Sequence, residues 1–343
     1  MEKILRILFV GDIHIKFNNL VEVDKVISYI KKNIDSSNID IAVLAGDILD
    51  THGVVHTQLM NKAFELINTL TSNGVKTYIL VGNHDYIDNS QFCSENHWLA
   101  GVKGRSCDGD ATLTIVDSPI AIENGKIVMV PYVPNGRFQE ALDLYLPEGT
   151  WRTSWCIFAH QEFKGCKMGA IISEEGDEWD ESFSDVISGH IHEKQRPQKN
   201  IYYPGSAINH SFGYDSQGIS IFTFLEKNKV KEEVISLDFA KKKIEYITVE
   251  EATQKFTDEK LKLEKNFKYS LEGTRVEIME FKKTFIYRTM CKTCKVVFRE
   301  KKQPEAVQKY GRVVKNFNDI LHEKIVNEKK ESLLSDYKSI IPQ

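Results

Sequence analysis

Four short motifs in this chain combine glycine with carboxylate, amide and imidazole side chains. They are Gly11-Asp12-Ile13-His14, Gly46-Asp47-Ile48-Leu49-Asp50, Gly82-Asn83-His84-Asp85 and Ser188-Gly189-His190-Ile191-His192, and His160 stands between the third and the fourth. Imidazole and carboxylate donors together suit Mn, Fe, Zn or Co rather than Ca or Mg alone. Such a set can hold two ions about 3.5–4 Å apart around a shared carboxylate, where they activate water and clamp the oxygens of a phosphate for in-line attack. One Asp-x-His or Gly-Asp alone is an ordinary turn. Four motifs in this order, each at the end of an apolar run, select the metal reading.

Those apolar runs are the elements that must position the donors. Ile4 to Val10, Ile39 to Ala45 and Thr77 to Val81 read as buried strands, being short, rich in Ile, Leu and Val, and bounded by turn residues. Val21 to Ile34 and Leu59 to Leu70 between them have helical spacing, the second stopped by Ser72-Asn73-Gly74. This β-α-β-α-β order implies a parallel sheet. In such sheets, sites assemble in the loops outside the carboxyl ends of the strands, which is where the motifs fall. Further strands are expected at Lys126 to Val130, Cys156 to Ala159, Asp185 to Ser188 and Ile219 to Phe224.

The motifs resemble the signature of calcineurin-like metallophosphoesterases over residues 4 to about 225. The resemblance implies an α/β fold, a four-layer α/β/β/α sandwich. It implies one metal on Asp12, His14, Asp47 and His192, and a second on Asp47, Asn83, His160 and His190. His84 would bind no metal; it would stabilise the transition state or protonate the leaving oxygen, with Asp50 orienting its ring. A carboxylate beside an imidazole raises its pKa toward the range useful for an acid. Within the superfamily, His160-Gln161-Glu162-Phe163-Lys164-Gly165, then Ser173-Glu174 and Tyr203-Pro204-Gly205-Ser206, are similar to SbcD-type DNA nuclease subunits in their compact phage and large-virus forms. That resemblance implies Mn²⁺ first, with Fe, Zn, Co or Mg as alternatives. It also implies DNA as substrate in repair or recombination, an ABC-type ATPase of SbcC type as partner, and a cytoplasmic setting, with the nucleus second. A homodimer, a stand-alone phosphatase or small-molecule phosphodiesterase, and a scaffold without catalysis remain as alternatives.

Composition sets the outer bounds. The 343 residues are 41% hydrophobic and 27% charged, an ordinary globular balance, and six cysteines at irregular spacing read as reduced thiols. No secretory leader or membrane span is expected. The net charge of −4 is uneven: residues 241–343 carry 24 Lys and Arg against 16 Asp and Glu, whereas the first 240 carry 21 against 33. A basic end suits contact with a polyanion. Expected domains are a catalytic unit at 1–238, a small basic α+β cap at 239–303 with strand-like pieces at Arg275 to Met279 and Lys295 to Phe298, and a helical partner-binding tail at 304–343. Cys291-x-x-Cys294 has half the spacing of a zinc site and reads as structural thiols. The Lys run at 241–243 reads as a solvated face, and His52 and His56 as exposed loop residues. His97, His210 and His322 join no recognisable constellation.

Overall fold

The expected β-α-β-α-β order is present as β1 (Leu5–Val10), α1 (Leu20–Asn33), β2 (Ile41–Leu44), α2 (Thr57–Ser72) and β3 (Lys76–Leu80), with β1, β2 and β3 paired in parallel. This computed structural model describes residues 4–35, 38–104, 112–210, 218–227, 229–237, 239, 242–256, 263 and 266–301. β1 and β2 are buried on nearly every residue, as expected for a sheet covered on both faces. Both helices bury one stripe, Val23, Val26, Ile27 and Ile30 in α1 and Leu59, Ala63, Leu66, Ile67 and Leu70 in α2, and the two pack on the same core.

The chain continues through β4 (Leu113–Val116), β5 (Ile120–Ile122), β6 (Ile127–Val130), α3 (Phe138–Tyr145), α4 (Thr150–Thr153) and β7 (Cys156–Ala159). Next come a small hairpin, β8 (Lys167–Met168) and β9 (Ile171–Ile172), then β10 (Asp185–Ser188), β11 (Gln195–Gln198), β12 (Ile201–Tyr203), β13 (Gly218–Glu226) and β14 (Lys229–Ser236). Two six-stranded sheets result, ordered β14-β13-β1-β2-β3-β4 and β11-β12-β10-β7-β6-β5.

Apolar side chains from both sheets meet between them: Phe9, Val43 and Leu80 on one side, Met129, Phe158 and Ile187 on the other. The outer face of the first sheet packs on α1 and α2. The outer face of the second packs on Phe138, Leu142, Trp151 and Trp179. The fold is therefore a four-layer α/β/β/α sandwich, and it turns the carboxyl ends of β1, β2, β3, β7 and β10 toward one site. Trp151, Trp155 and Trp179 are buried in these cores, and Trp98 is half-buried.

The chain divides into two compact units, one of 1–245 with 262–269 and 290–296, the other of 246–261 with 270–289 and 297 onward. The remaining elements are β15 (Lys243–Thr248), α5 (Val249–Lys255), β16 (Phe267–Gly273), α6 (Arg275–Phe281), α7 (Phe285–Thr293) and β17 (Lys295–Glu300). Lys295 to Phe298 is strand, as expected. Arg275 to Met279 is not: it lies in helix α6. Thr274 accepts from the Glu277 amide at 3.3 Å and Glu277 accepts from the Thr274 amide at 2.7 Å. This capping box satisfies two N-terminal donors and starts a helix, outweighing the strand propensity of Val276 and Ile278. Residues 304–343, with the helices read there and His322, lie outside the described residues.

Phe158 is fully buried between the sheets, against Phe9, Phe222 and Phe224. Phe158→Ala should lower unfolding free energy by about 3–5 kcal/mol, read from urea denaturation. A loss below about 1 kcal/mol would mean the sheets are not held together there.

Candidate metal centre

Each motif begins where its strand stops. Asp12 and His14 follow β1, Asp47 follows β2, Asn83 and His84 follow β3, His160 follows β7, and His190 and His192 follow β10. The backbone there is forced into an unusual shape. Asp12, His14, Asp47 and His190 all have positive φ, at 31°, 44°, 51° and 75°. Such conformations cost of order 1–3 kcal/mol each and persist only where surroundings over-determine them. The restraints are visible: the His14 amide donates to the Asp47 carbonyl at 2.9 Å and the Ile15 amide to the Ile48 carbonyl at 2.7 Å. The His190 amide donates to Asp12 Oδ1 and the His84 amide to Asp47 Oδ1, each at 2.8 Å.

Two glycines are dictated by crowding. A Cβ on Gly82 would collide with the Asp47 carboxylate and amide, and a Cβ on Gly46 would sit 2.5 Å from His160 Nδ1. Gly46 also has φ of +93°, where L side chains are strained.

All seven expected donors converge. Donor atoms of Asp12, His14 and His192 lie within 4.8 Å of one another, and so do those of Asp47, His160 and His190. Asp47 stands between the groups, with Oδ2 3.4 Å from His14 Nε2 and Oδ1 3.4 Å from His160 Nε2. Asn83 Oδ1 lies 3.2 Å from His160 Nε2 and 3.0 Å from His190 Nδ1.

Divalent cations fit these residues. Asp12 Oδ2 is buried without a hydrogen-bond partner, a costly state for a carboxylate oxygen that a cation would relieve. His14 Nε2 and His192 Nε2 face each other at 3.0 Å, so only a shared proton or a cation makes that approach favourable. Burial and the His14 and His210 rings push His192 down to about 2, leaving a neutral imidazole with a free lone pair, the form that binds metal. His160 behaves oppositely: burial lowers it, but the Asp47 and Asp12 carboxylates prevail and raise it to about 9. The ring donates from Nδ1 to the Ala45 carbonyl at 2.6 Å, which leaves Nε2 facing the site.

His84 is also within 4.8 Å of His14 and Asp47 donors. Its surroundings differ from expectation. The Asp50 carboxylate does not hold it: that carboxylate pairs with Lys16 at 2.9 Å and lies 3.4 Å from His14 Nδ1. The ring is oriented by the main-chain carbonyl of Asp50, which accepts from His84 Nδ1 at 2.9 Å. Burial pushes His84 below its ordinary value, despite the opposing Asp47 charge. A carbonyl dipole orients a ring without supplying the full negative charge that would raise it.

Several contributors had no role in the motif reading. His210 donates from Nε2 to the Asp12 carbonyl at 2.7 Å and packs on His14 and His192 at 5.0 and 4.9 Å. His52 stacks on His84, with ring centres 4.5 Å apart and planes at 21°. Asp85 accepts from the Gly82 and Ile48 amides and from Trp98 Nε1, at 3.0, 3.2 and 2.8 Å, which ties the second and third loops together. Gln161 bonds to Asp177 at 2.7 Å, to both Val133 main-chain groups, and through its amide to Ser188 Oγ at 2.8 Å. It locks the His160 loop to the strand that ends at His190. Adjacency to a motif was the available signal for Asp85 and Gln161; none existed for His210, fifteen or more residues from every other donor.

The remaining candidates lie apart. His56 caps α2 and His97 pairs with Asp117 at 3.1 Å. Cys291 is exposed and Cys294 donates to the Met290 carbonyl, with no third ligand beside them among the described residues. Lys242 is not solvated: it is half-buried and donates to the Asn209 carbonyl at 2.6 Å.

A sequence model of the calcineurin-like phosphoesterases matches residues 5–194, the span that carries all these loops except the one bearing His210. The chain belongs to that family. It is 38% identical over 347 positions to a protein of Invertebrate iridescent virus 3 bearing the family-level name phosphoesterase 078R, across 100% of this chain and 98% of that one. It is 51% identical over 223 residues to the similarly named 244L of Invertebrate iridescent virus 6, across 64% of this chain and 76% of the relative. Calcineurin-like phosphoesterases use divalent metals and hydrolyse ester bonds of phosphate, and the cluster supplies donors of the right kind. Among the described residues no helix is long and apolar enough to cross a membrane.

Metal binding should appear as stability. A ligand present at 100 times its Kd stabilises the folded state by about 2.7 kcal/mol. Adding Mn²⁺ to chelator-treated protein should therefore raise the melting temperature, and Asp12→Asn should remove much of that rise. An equal rise in both would exclude Asp12 as a ligand. Titration calorimetry should give close to two ions per chain, and fewer for Asp47→Asn and His190→Ala, with hydrolysis lost in both variants.

Proposed function

We propose that this calcineurin-like phosphoesterase is a two-metal phosphodiesterase that cuts DNA, the nuclease subunit of an SbcCD-type complex, with Mn²⁺ in the centre. One metal is assigned to Asp12, His14, Asp47 and His192, and the second to Asp47, Asn83, His160 and His190. The observation that carries the two-metal part is the placement of Asp47, with one carboxylate oxygen toward each histidine group. Bound divalent ions supply water activation and charge neutralisation at the phosphate.

The chain's own residues do the rest. His84 Nδ1 is committed to the Asp50 carbonyl, so Nε2 is the atom available to the leaving oxygen. With His84 lowered by burial, the negative charge of a bound phosphate is what favours the protonated, proton-donating ring. His52, stacked on its face, restricts its swing.

The cavity favours a diester over a monoester. Its volume is about 430 Å³, and beyond the metal donors and His84 it is lined by Lys167, Met168, Gly169, Ile191, Glu193, Ser206, Asn209 and His210. Lys167 is the sole lysine among the described lining residues, and there is no arginine. Doubly charged phosphoryl groups are usually met by Arg or Lys clamps, whereas a diester carries one charge. The basic balance of 241–303, 17 Lys and Arg against 10 Asp and Glu, supports a polyanionic substrate. The resemblance of the His160 and Ser173 segments supports the SbcD-type assignment, and with it the ABC-type ATPase as partner of 304–343.

Purified protein with Mn²⁺ should degrade linear DNA and hydrolyse diesters faster than the matching monoesters. Hydrolysis of nucleoside monophosphates with DNA left intact would favour the stand-alone phosphatase. His84→Ala should keep both metals and lose on the order of 10²–10⁴-fold in rate, with a smaller loss for esters of good leaving groups. Equal losses would reduce His84 to a substrate-positioning role. Removing 304–343 should spare hydrolysis of small esters and abolish ATP-dependent DNA degradation with the partner.

A further inference from the structure

The loop after His160 does not return directly to the second sheet. It projects the β8–β9 hairpin, whose apolar side chains face solvent: Met168 is 40% exposed, Ile171 65% and Ile172 58%. Exposed apolar residues are unremarkable singly, but a contiguous group beside a cavity marks a binding surface. This group is contiguous with the metal cavity, because Lys167, Met168 and Gly169 line it together with His190 and His192.

The hairpin is held in place. At its base the Gly165 amide donates to the Ser173 carbonyl and the Ser173 amide to the Cys166 carbonyl, both at 2.8 Å. On its outer edge the Gln195 side chain bonds both main-chain groups of Lys167, accepting at 2.7 Å and donating at 2.8 Å. Gln195 lies three residues beyond His192, so the hairpin is pinned to the same loop that carries two donors of the centre. Ser173 also bonds Glu162, whose carboxylate is 3.8 Å from His190 Nε2. A surface restrained at both edges presents its apolar side chains at a fixed position relative to His190 and His192.

We propose that this hairpin selects the substrate: Met168 and Ile171 form a platform that packs on the nucleobase or sugar attached to the phosphate in the metal cavity. The inference rests on the phosphodiesterase reading above and adds the residues that recognise the ester group. Flat heteroaromatic bases are apolar on their faces, and covering them with aliphatic side chains removes apolar surface from water whatever the base. Lys167, at the root of the hairpin, suits a neighbouring backbone phosphate.

The test compares two diesters that share a leaving group, thymidine 5′-(4-nitrophenyl phosphate) and methyl 4-nitrophenyl phosphate, in the full chain with Mn²⁺. The double variant Met168→Ser with Ile171→Ser should lower the preference for the thymidine ester, as the ratio of kcat/KM values, by roughly tenfold. The change should fall mainly in KM, and Met168→Leu with Ile171→Leu should retain the preference. A second readout needs no turnover: anisotropy of a fluorescein-labelled thymidine oligonucleotide in EDTA should show weaker binding to the serine variant than to the unmodified chain. An unchanged ratio, or equal oligonucleotide affinity, would overturn the platform. If DNA is not degraded while the ratio still falls, the nuclease reading fails and the platform stands as a nucleotide-ester site. If neither ester is hydrolysed, the anisotropy comparison alone decides the platform.

Discussion

Asp47 has to face two groups of histidines at once, and much of the surrounding structure serves that requirement. Its carboxylate is buried, with His14 on one side and His160 on the other. His14 belongs to a loop of the first sheet and His160 to a loop of the second. A single side chain can meet both only if the sheets are stacked face to face with their strand ends aligned. The aromatic core of Phe9, Phe158, Phe222 and Phe224 sets that spacing.

Bringing Asp12 and Asp47 out of water is expensive, since an unpaired buried carboxylate costs several kcal/mol. Burial raises Asp12 above its ordinary range. For Asp47 burial acts in the same direction, but the His160 and His14 charges prevail and hold it well below that range. Divalent ions held by these residues would offset the same buried negative charge. The positive φ values at Asp12, His14, Asp47 and His190 belong to the same economy. Strained backbone is tolerated because main-chain hydrogen bonds run from loop to loop, and because Asp85 and Gln161 fasten neighbouring loops to one another.

The centre by itself is generic phosphoester chemistry. What distinguishes one phosphoesterase from another is the wall around it. Here, among the described residues, that wall carries one lysine, Lys167, and the edge of an apolar hairpin. His52 on the face of His84 and His210 behind His14 shape the remaining sides.

The donors, the strands that carry them and the layered α/β class were legible in the sequence. Burial and ligand chemistry both leave local marks: an apolar run of strand length, a glycine where the chain must turn, and an imidazole or carboxylate next to it. Two things were not local. The stabilising partner of His84 depends on which atom of Asp50 points inward, and the backbone turn aims the carbonyl there while Lys16 draws the carboxylate away. His210 joins the site only because its loop returns to β1, and no spacing rule connects positions 12 and 210. The helix at Arg275–Phe281, by contrast, had a local mark in the capping box Thr274-Arg275-Val276-Glu277, which outweighs the strand propensity of Val276 and Ile278. Sequence by itself determined which side chains are present and which segments are buried strands, because a continuous apolar run of strand length has no polar face to give to water. Tertiary structure decided the partners of each titratable atom and what borders the cavity, because those depend on loops from different strands meeting in space.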